Sequence, residues 1–279
     1  MIIWLASYPK SGNTLLRAII ASLLYTNNGI FQPNLLERIK KFPTQNNFKN
    51  FTNKFYDINE TIKYSILSQD SINLNNKINF LKTHHLNCKI NNHHFTNSEN
   101  TLATIYIVRD PRNIVTSISN HYNLSLEDAK IFLFSSKIIG GSKKMGLSIN
   151  DDIKTLIGTW SEHYKFWKKN KNLLLIKYED LINNSQHEIN KIIIFLRQFL
   201  TFEVNELKLI NICKSTTFKN LQDIEKKGLF KENAYKNTNT KIKFFFLGPN
   251  NKWQNILPKN IRNEIENKFF NEMRELKYL

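Results

Sequence analysis

The opening segment constrains this chain most. Residues 2–6, Ile-Ile-Trp-Leu-Ala, form an unbroken apolar run with the composition of a buried strand. A polar turn follows over residues 7–14, Ser-Tyr-Pro-Lys-Ser-Gly-Asn-Thr. A helical pattern then begins, with Leu15, Leu16, Ile19, Ile20, Leu23 and Leu24 on its buried side. Strand, small-residue turn and helix together present backbone N–H groups and a positive helix end to an anion. Lys10 adds a mobile cation, and Gly12 lets the backbone approach closely. Ser11, Asn13 and Thr14 add side-chain donors or caps. The turn predicts a phosphate or sulfate site, set against the plainer reading of an ordinary strand–helix connection. It is not a Walker A loop, which needs a glycine several residues before the lysine, where Tyr8 and Pro9 stand here.

Further along, the apolar periods alternate between strand and helix. Residues 78–85 predict a short strand ending in Lys82, Thr83, His84 and His85. Residues 102–108, Leu-Ala-Thr-Ile-Tyr-Ile-Val, predict the strongest strand. A helix follows through Tyr122, with Asp110 as cap and Pro111 at an early position. Helices are predicted over residues 126–139, 151–170, 203–213, 218–227 and 258–276, and a helical region leads from Tyr178 to Leu200. Another strand is predicted over residues 173–176. Residues 26–76 predict loops and short helices that shape an acceptor pocket, and residues 140–146, rich in glycine, a mobile lid. This alternation predicts an α/β fold with a mostly parallel central sheet flanked by helices, as a single P-loop-like domain over residues 1–279.

Several segments now stand in one collinear order. The turn Tyr-Pro-Lys-Ser-Gly-x-Thr resembles the 5′-phosphosulfate loop of sulfotransferases that use 3′-phosphoadenosine 5′-phosphosulfate (PAPS). Lys82, Thr83 and His84 resemble that family's Lys-Thr-His segment, and residues 106–117 resemble its 3′-phosphate strand–loop–helix, with the eight-residue spacing from Arg109 to Ser117. Gly158, Trp160, His163 and Trp167 resemble its Gly-x-Trp-x-x-His-x-x-x-Trp helix, Tyr178-Glu179-Asp180 its Tyr-Glu-Asp, and Thr216-Thr217-Phe218 its adenine-side Thr-x-Phe. Trp253-Gln254-Asn255 with Ile265, Phe269, Met273 and Leu276 resembles the end of the fold. The resemblance runs along the whole chain, with gaps at residues 26–76 and in the lid.

The resemblance implies a sulfotransferase that moves a sulfuryl group from PAPS to a hydroxyl or amine of a small-molecule or glycan acceptor, leaving PAP. It implies Lys10 and His84 as catalytic residues, His84 being the general base, with His85 the competitor one residue away. It implies nucleotide contacts from Lys10, Ser11, Gly12, Asn13, Thr14, Arg109, Ser117, Tyr178, Thr216, Phe218 and Gly248, and no metal. The residue types suit such chemistry. Charge spreads over equatorial oxygens and the leaving phosphate, so alignment and electrostatics dominate. A hydroxyl acceptor must lose a proton, which a histidine can take. Arg109 offers a planar fork to a phosphate, although it and Asp110 also make sense as an ion pair at a helix start. The competing functions are a P-loop-type nucleotide-dependent kinase and a non-catalytic binder of polyanions.

Two departures from the family pattern stand out. Leu15 sits where an aromatic usually follows the turn. The late loop, Phe-Leu-Gly-Pro-Asn-Asn-Lys-Trp over residues 246–253, keeps Gly248 and Trp253 but lacks the Arg-Lys pair that contacts the 3′-phosphate. Lys241, Lys243 and Lys252 are the candidates to replace it. The formal charge of +17 suits phosphate-rich or sulfated ligands, but the basic residues are scattered, which argues against nucleic acid. His93 and His94 lie in an asparagine-rich loop without ligand spacing. Two distant cysteines, the absence of a signal-like start and the lack of an apolar span predict a cytoplasmic protein. Homodimer formation stays open.

Overall fold

The strand Ile2–Ala6 lies at the centre of a five-stranded sheet, with all five residues buried. The strands run in the order Lys40–Lys41, Asn79–Thr83, Ile2–Ala6, Thr101–Val108 and Leu173–Lys177. Ile2–Ala6 pairs in parallel with both neighbours, Ala6 standing opposite Thr83 on one side and Tyr106 on the other. Parallel strands buried on both faces need near-continuous apolar sequence, which is why the two strongest runs became two of the three inner strands. The fold is α/β with a mostly parallel sheet, in agreement with the alternation of periods.

This computed structural model describes residues 1–140, 153–230, 234–235 and 241–279. The chain divides into two compact units. One comprises Met1–Tyr8, Ile39–Tyr106 and Ser135–Leu175; the other comprises Pro9–Arg38, Ile107–Phe134 and Ile176–Leu279. The first holds most of the sheet and an aromatic core in which Trp4 packs against Phe95 at 5.4 Å, Phe42 at 5.6 Å and Trp167 at 6.0 Å between ring centres. The second is built mainly of helices, among them Asn13–Tyr25, Pro111–Tyr122, Ser185–Leu196, Glu206–Ser215 and Phe218–Lys226. Its C-terminal part buries Ile265, Phe269, Met273 and Leu276. Among the described residues no helix is long and apolar enough to cross a membrane.

Three sequence expectations require correction, and one strand was not foreseen. The helix expected over residues 126–139 stops at Phe134, and Lys137–Ile139 instead pairs antiparallel with Thr155–Gly158. The helix expected from residue 151 is therefore confined to Trp160–Trp167. Gly158, at φ 64°, ends the strand, and a reciprocal Thr159/Glu162 capping box starts the helix. The last helix breaks into Lys259–Lys268 and Phe270–Glu275, because Phe269 leaves helical geometry to bury its ring edge-on against Phe134. The two-residue strand Lys40–Lys41 went unseen, being too short for a period and lysine-rich as sheet edges often are. Most of the expected lid, residues 141–146, lies outside the described residues.

Candidate active site

In the second unit the turn after Pro9 takes two left-handed backbone positions, Lys10 at φ 65° and Gly12 at φ 101°. Gly12 caps the helix Asn13–Tyr25, whose first turn carries no acidic residue, so its positive end is not answered from within the helix. Glycine is required here on two grounds. The φ suits no other residue well, and an added Cβ would come within 2.4 Å of the Tyr178 ring. The turn is thus seated on Tyr178. Ser11 is fully buried, and its Oγ has no hydrogen-bonding partner among the described residues. Asn13 and Thr14 are buried in the first helical turn.

Arg109 ends the strongest strand and ties the cradle together. Its Nη1 donates to the Lys10 carbonyl at 3.2 Å and to Ser117 Oγ at 3.1 Å, and Nη2 donates to the Gly248 carbonyl at 3.4 Å. The guanidinium lies 4.3 Å from the centre of the Tyr178 ring, a cation–π contact. Its Nε is buried with no partner among the described residues. Burial raises the Tyr178 pKa, against the lowering effect of the Arg109 charge. The ion-pair alternative for Arg109 fails for a simple reason. Asp110 caps the helix Pro111–Tyr122 and is gripped by Arg112, with Nη2 2.7 Å from Oδ2.

Gly248 rests on Phe218, since an added Cβ would fall 2.3 Å from the ring. Thr216 sits nearby in sequence but spends its hydroxyl on the Ile212 carbonyl at 2.8 Å, closing its own helix. Sequence reading missed three members of this unit's site. His121 places Nδ1 3.4 Å from Lys10 Nζ, and Phe244 presents its ring 4.2 Å from that ammonium. Asn251 is buried, accepts from Thr116 Oγ1 at 2.6 Å and donates to the Asn113 carbonyl at 2.7 Å. It fastens the late loop to the helix that carries Ser117. His121 lies one helical turn beyond Ser117, a spacing that would have brought it into view. Of the lysines considered as replacements, Lys243 and Lys252 are exposed. The Lys241 side chain lies outside what the structure describes.

The first unit holds the histidines. His84 is half-buried just past the strand Asn79–Thr83, with Nδ1 2.7 Å from the Ser7 carbonyl and 3.2 Å from Ser7 Oγ. A carbonyl only accepts, so Nδ1 carries the proton and Nε2 keeps its lone pair. The pKa of His84 is lowered, first by burial and then by the Lys82 charge; the Ser7 bond opposes this. His163 holds the segment from beneath, its Nε2 donating to the His84 carbonyl at 3.1 Å while Tyr106 O–H donates to its Nδ1 at 2.8 Å. Burial takes the His163 pKa down to about 3. His85 is different. It stacks on Phe95 at 4.3 Å, bonds the Leu86 carbonyl at 2.7 Å, and burial lowers its pKa to about 4. Its environment is that of a core residue. Among the described residues no group of three or more His, Cys, Asp or Glu is placed to hold a metal ion.

Comparison with known proteins bears on the family and the fold. A family profile described as the sulfotransferase domain matches residues 2–277. Mouse sulfotransferase 1A1 is 29% identical over 125 residues, 44% of this chain, and the matched segment spans 38% of that relative's length. A crystal structure of mouse sulfotransferase SULT7A1 complexed with PAP superposes with a TM-score of 0.58 at 20% identity, over 98% of this chain and 84% of that one. Retinol dehydratase in a complex with retinol and PAP gives 0.58 at 16% identity, over 98% and 81%. With the profile running almost from end to end, the chain belongs to the sulfotransferase domain family.

Proposed function

We propose that this protein is a PAPS-dependent sulfotransferase that moves a sulfuryl group onto a hydroxyl or amine of a small-molecule or glycan acceptor. The carrying observation is the pair of buried polar atoms, Ser11 Oγ and Arg109 Nε, without partners among the described residues in a cradle seated at a helix N-terminus. Leaving such groups unmade costs free energy, so a site that retains them fits an anionic ligand that completes them. When bound, PAPS supplies the activated sulfuryl group. Lys10, Ser11, Gly12, Asn13 and Thr14 hold the 5′ side, and Arg109 with Ser117 holds the 3′-phosphate. Tyr178 keeps the guanidinium and the turn in place, while Phe218 and Gly248 border the base. Thr216 shapes this border through its helix end rather than through its hydroxyl.

In this reading His84 takes the acceptor proton at Nε2, and Ser7 and His163 fix its tautomer and position. The family profile supports treating residues 1–279 as one catalytic domain. Retinol in the retinol dehydratase complex favours a small-molecule acceptor over a glycan. The free cysteines Cys88 and Cys213 suit the reducing cytoplasm. The test is turnover of radiolabelled PAPS with a panel of phenols, alcohols and amines. Lys10→Ala and His84→Ala, folded as judged by circular dichroism, should lose product, the latter by about 10²–10⁴-fold. Product from wild-type protein with undiminished turnover in His84→Ala would remove the base. Phosphoryl transfer from ATP in place of sulfuryl transfer would overturn the whole reading.

A further inference from the structure

The C-terminal turn reaches back to the same cradle. Arg112 is buried and donates from Nη2 to the Tyr278 carbonyl at 2.8 Å while gripping Asp110 and Glu266. The Tyr278 hydroxyl in turn donates to Glu179 Oε2 at 3.0 Å, and Glu179 Oε1 accepts from the Asp110 backbone N–H at 3.1 Å. Lys177 lies over the Tyr278 ring at 4.5 Å. Both residues that flank Arg109 in space are therefore anchored through Tyr278 and Glu179. Asp110 follows Arg109 in the chain, and Tyr178, which bears the guanidinium on its ring, precedes Glu179.

We propose that Tyr278 is a positioning residue for Arg109: its hydroxyl keeps the Glu179 carboxylate turned to the Asp110 backbone, so that Arg109 stays available to a 3′-phosphate. The charges explain why this is needed. Glu179 is the acid nearest in sequence to the Tyr178 platform, and the Arg109 charge acts on it, lowering a pKa that burial raises. A carboxylate in that place, released from its hydroxyl donor, is drawn to the guanidinium and competes with the phosphate for it. The nearby Asp110 carboxylate does not compete, because Arg112 already binds both of its oxygens. Ordinary packing would make Tyr278 a matter of stability alone. The competition instead makes it a matter of nucleotide selectivity.

The inference rests on the PAPS reading, and the experiment separates the two. PAP and adenosine 5′-phosphate, which lacks the 3′-phosphate, are titrated by calorimetry against the full chain, Tyr278→Phe and Tyr278→Phe/Glu179→Gln. Tyr278→Phe should weaken PAP about five- to tenfold and leave adenosine 5′-phosphate unchanged, the size of a hydrogen bond to a charged group partly lost. The added Glu179→Gln, which removes the competing charge, should restore most of the preference. Equal weakening of both nucleotides, or no change in either, overturns the inference while wild-type preference for PAP keeps the PAPS reading standing. So does a double variant no better than the single one. A wild type that binds both nucleotides equally sinks the 3′-phosphate site and this inference with it.

Discussion

Ser11→Ala separates a binding group from a packing group by the sign of two effects. Ser11 is fully buried and its hydroxyl has no partner among the described residues. A buried hydroxyl left unpaired costs about 1–3 kcal/mol, and removing one oxygen leaves only a small void, so the ligand-free variant should gain about 1 kcal/mol. In a chain of this length that is about 2 °C in Tm. If the hydroxyl exists to meet a phosphate or sulfate oxygen, the variant loses a hydrogen bond to a charged group, about 1.5–3 kcal/mol, and Kd for PAP rises tenfold or more. Scanning calorimetry without ligand and titration calorimetry with PAP read the two halves. A lower Tm, or a higher Tm with unaltered PAP affinity, refutes the argument and leaves Ser11 as filler.

Stability should also fall on mild acidification. His85 and His163 are buried neutral, with pKa values near 4 and 3. Unfolded, both titrate near 6.5, so between that pH and their folded values the unfolded chain binds the extra protons, and each residue removes about 2 kcal/mol of stability between pH 7 and 5. Urea melts at the two pH values check this, and His85→Gln should remove that residue's share of the loss, about 2 kcal/mol; a pH-independent midpoint counts against it. Because the His84 pKa is depressed, the acid limb of kcat/KM should lie below pH 6.5 with a plateau through neutrality, and a limb centred above 6.5 would speak against His84 as the base. Gly248→Ala puts a methyl group 2.3 Å from the Phe218 ring at a residue with φ 51°, costing about 1–3 kcal/mol and weakening PAP. Unchanged melting and binding would show that the ring and the loop are free to part.

The parts legible in the sequence share one property: they are local. The inner strands announce themselves because burial on both faces demands apolar runs, and Gly12 because a left-handed turn before a helix admits little else. The hairpin of Lys137–Ile139 with Thr155–Gly158 was illegible because its partners are distant in sequence and each is too short to show a period. The Thr159/Glu162 capping box marks the true helix start and was readable in the sequence, whereas the strand Thr155–Gly158 before it is too short to show a period of its own. At the histidines, the resemblance of Lys82-Thr83-His84 to the family segment favours His84 and leaves His85 as its competitor one residue away. Their partners distinguish them. His85 is taken up by Phe95 and the Leu86 carbonyl, whereas His84 uses Nδ1 on Ser7, which leaves its Nε2 unprotonated.

The late loop shows how a missing motif can be answered by geometry. Without an Arg-Lys pair next to Gly248, a loop of glycine, proline and asparagine would seem to leave the 3′-phosphate side to scattered lysines. The chain instead brings the loop to Arg109. The Gly248 carbonyl lies 3.4 Å from Arg109 Nη2, and Asn251 locks the loop by bonding Thr116 and Asn113 on the helix that carries Ser117. Trp253 then takes the Arg112 guanidinium on its ring at 4.0 Å, linking the loop to the Asp110 and Tyr278 network. Arg109 is thereby the cation that meets both the Gly248 carbonyl and Ser117 Oγ. Selectivity for a 3′-phosphate should consequently depend on that single side chain: Arg109→Lys, which keeps the charge and loses the fork, should abolish the preference for PAP over adenosine 5′-phosphate. If the preference survives, cations on the loop are carrying the phosphate after all.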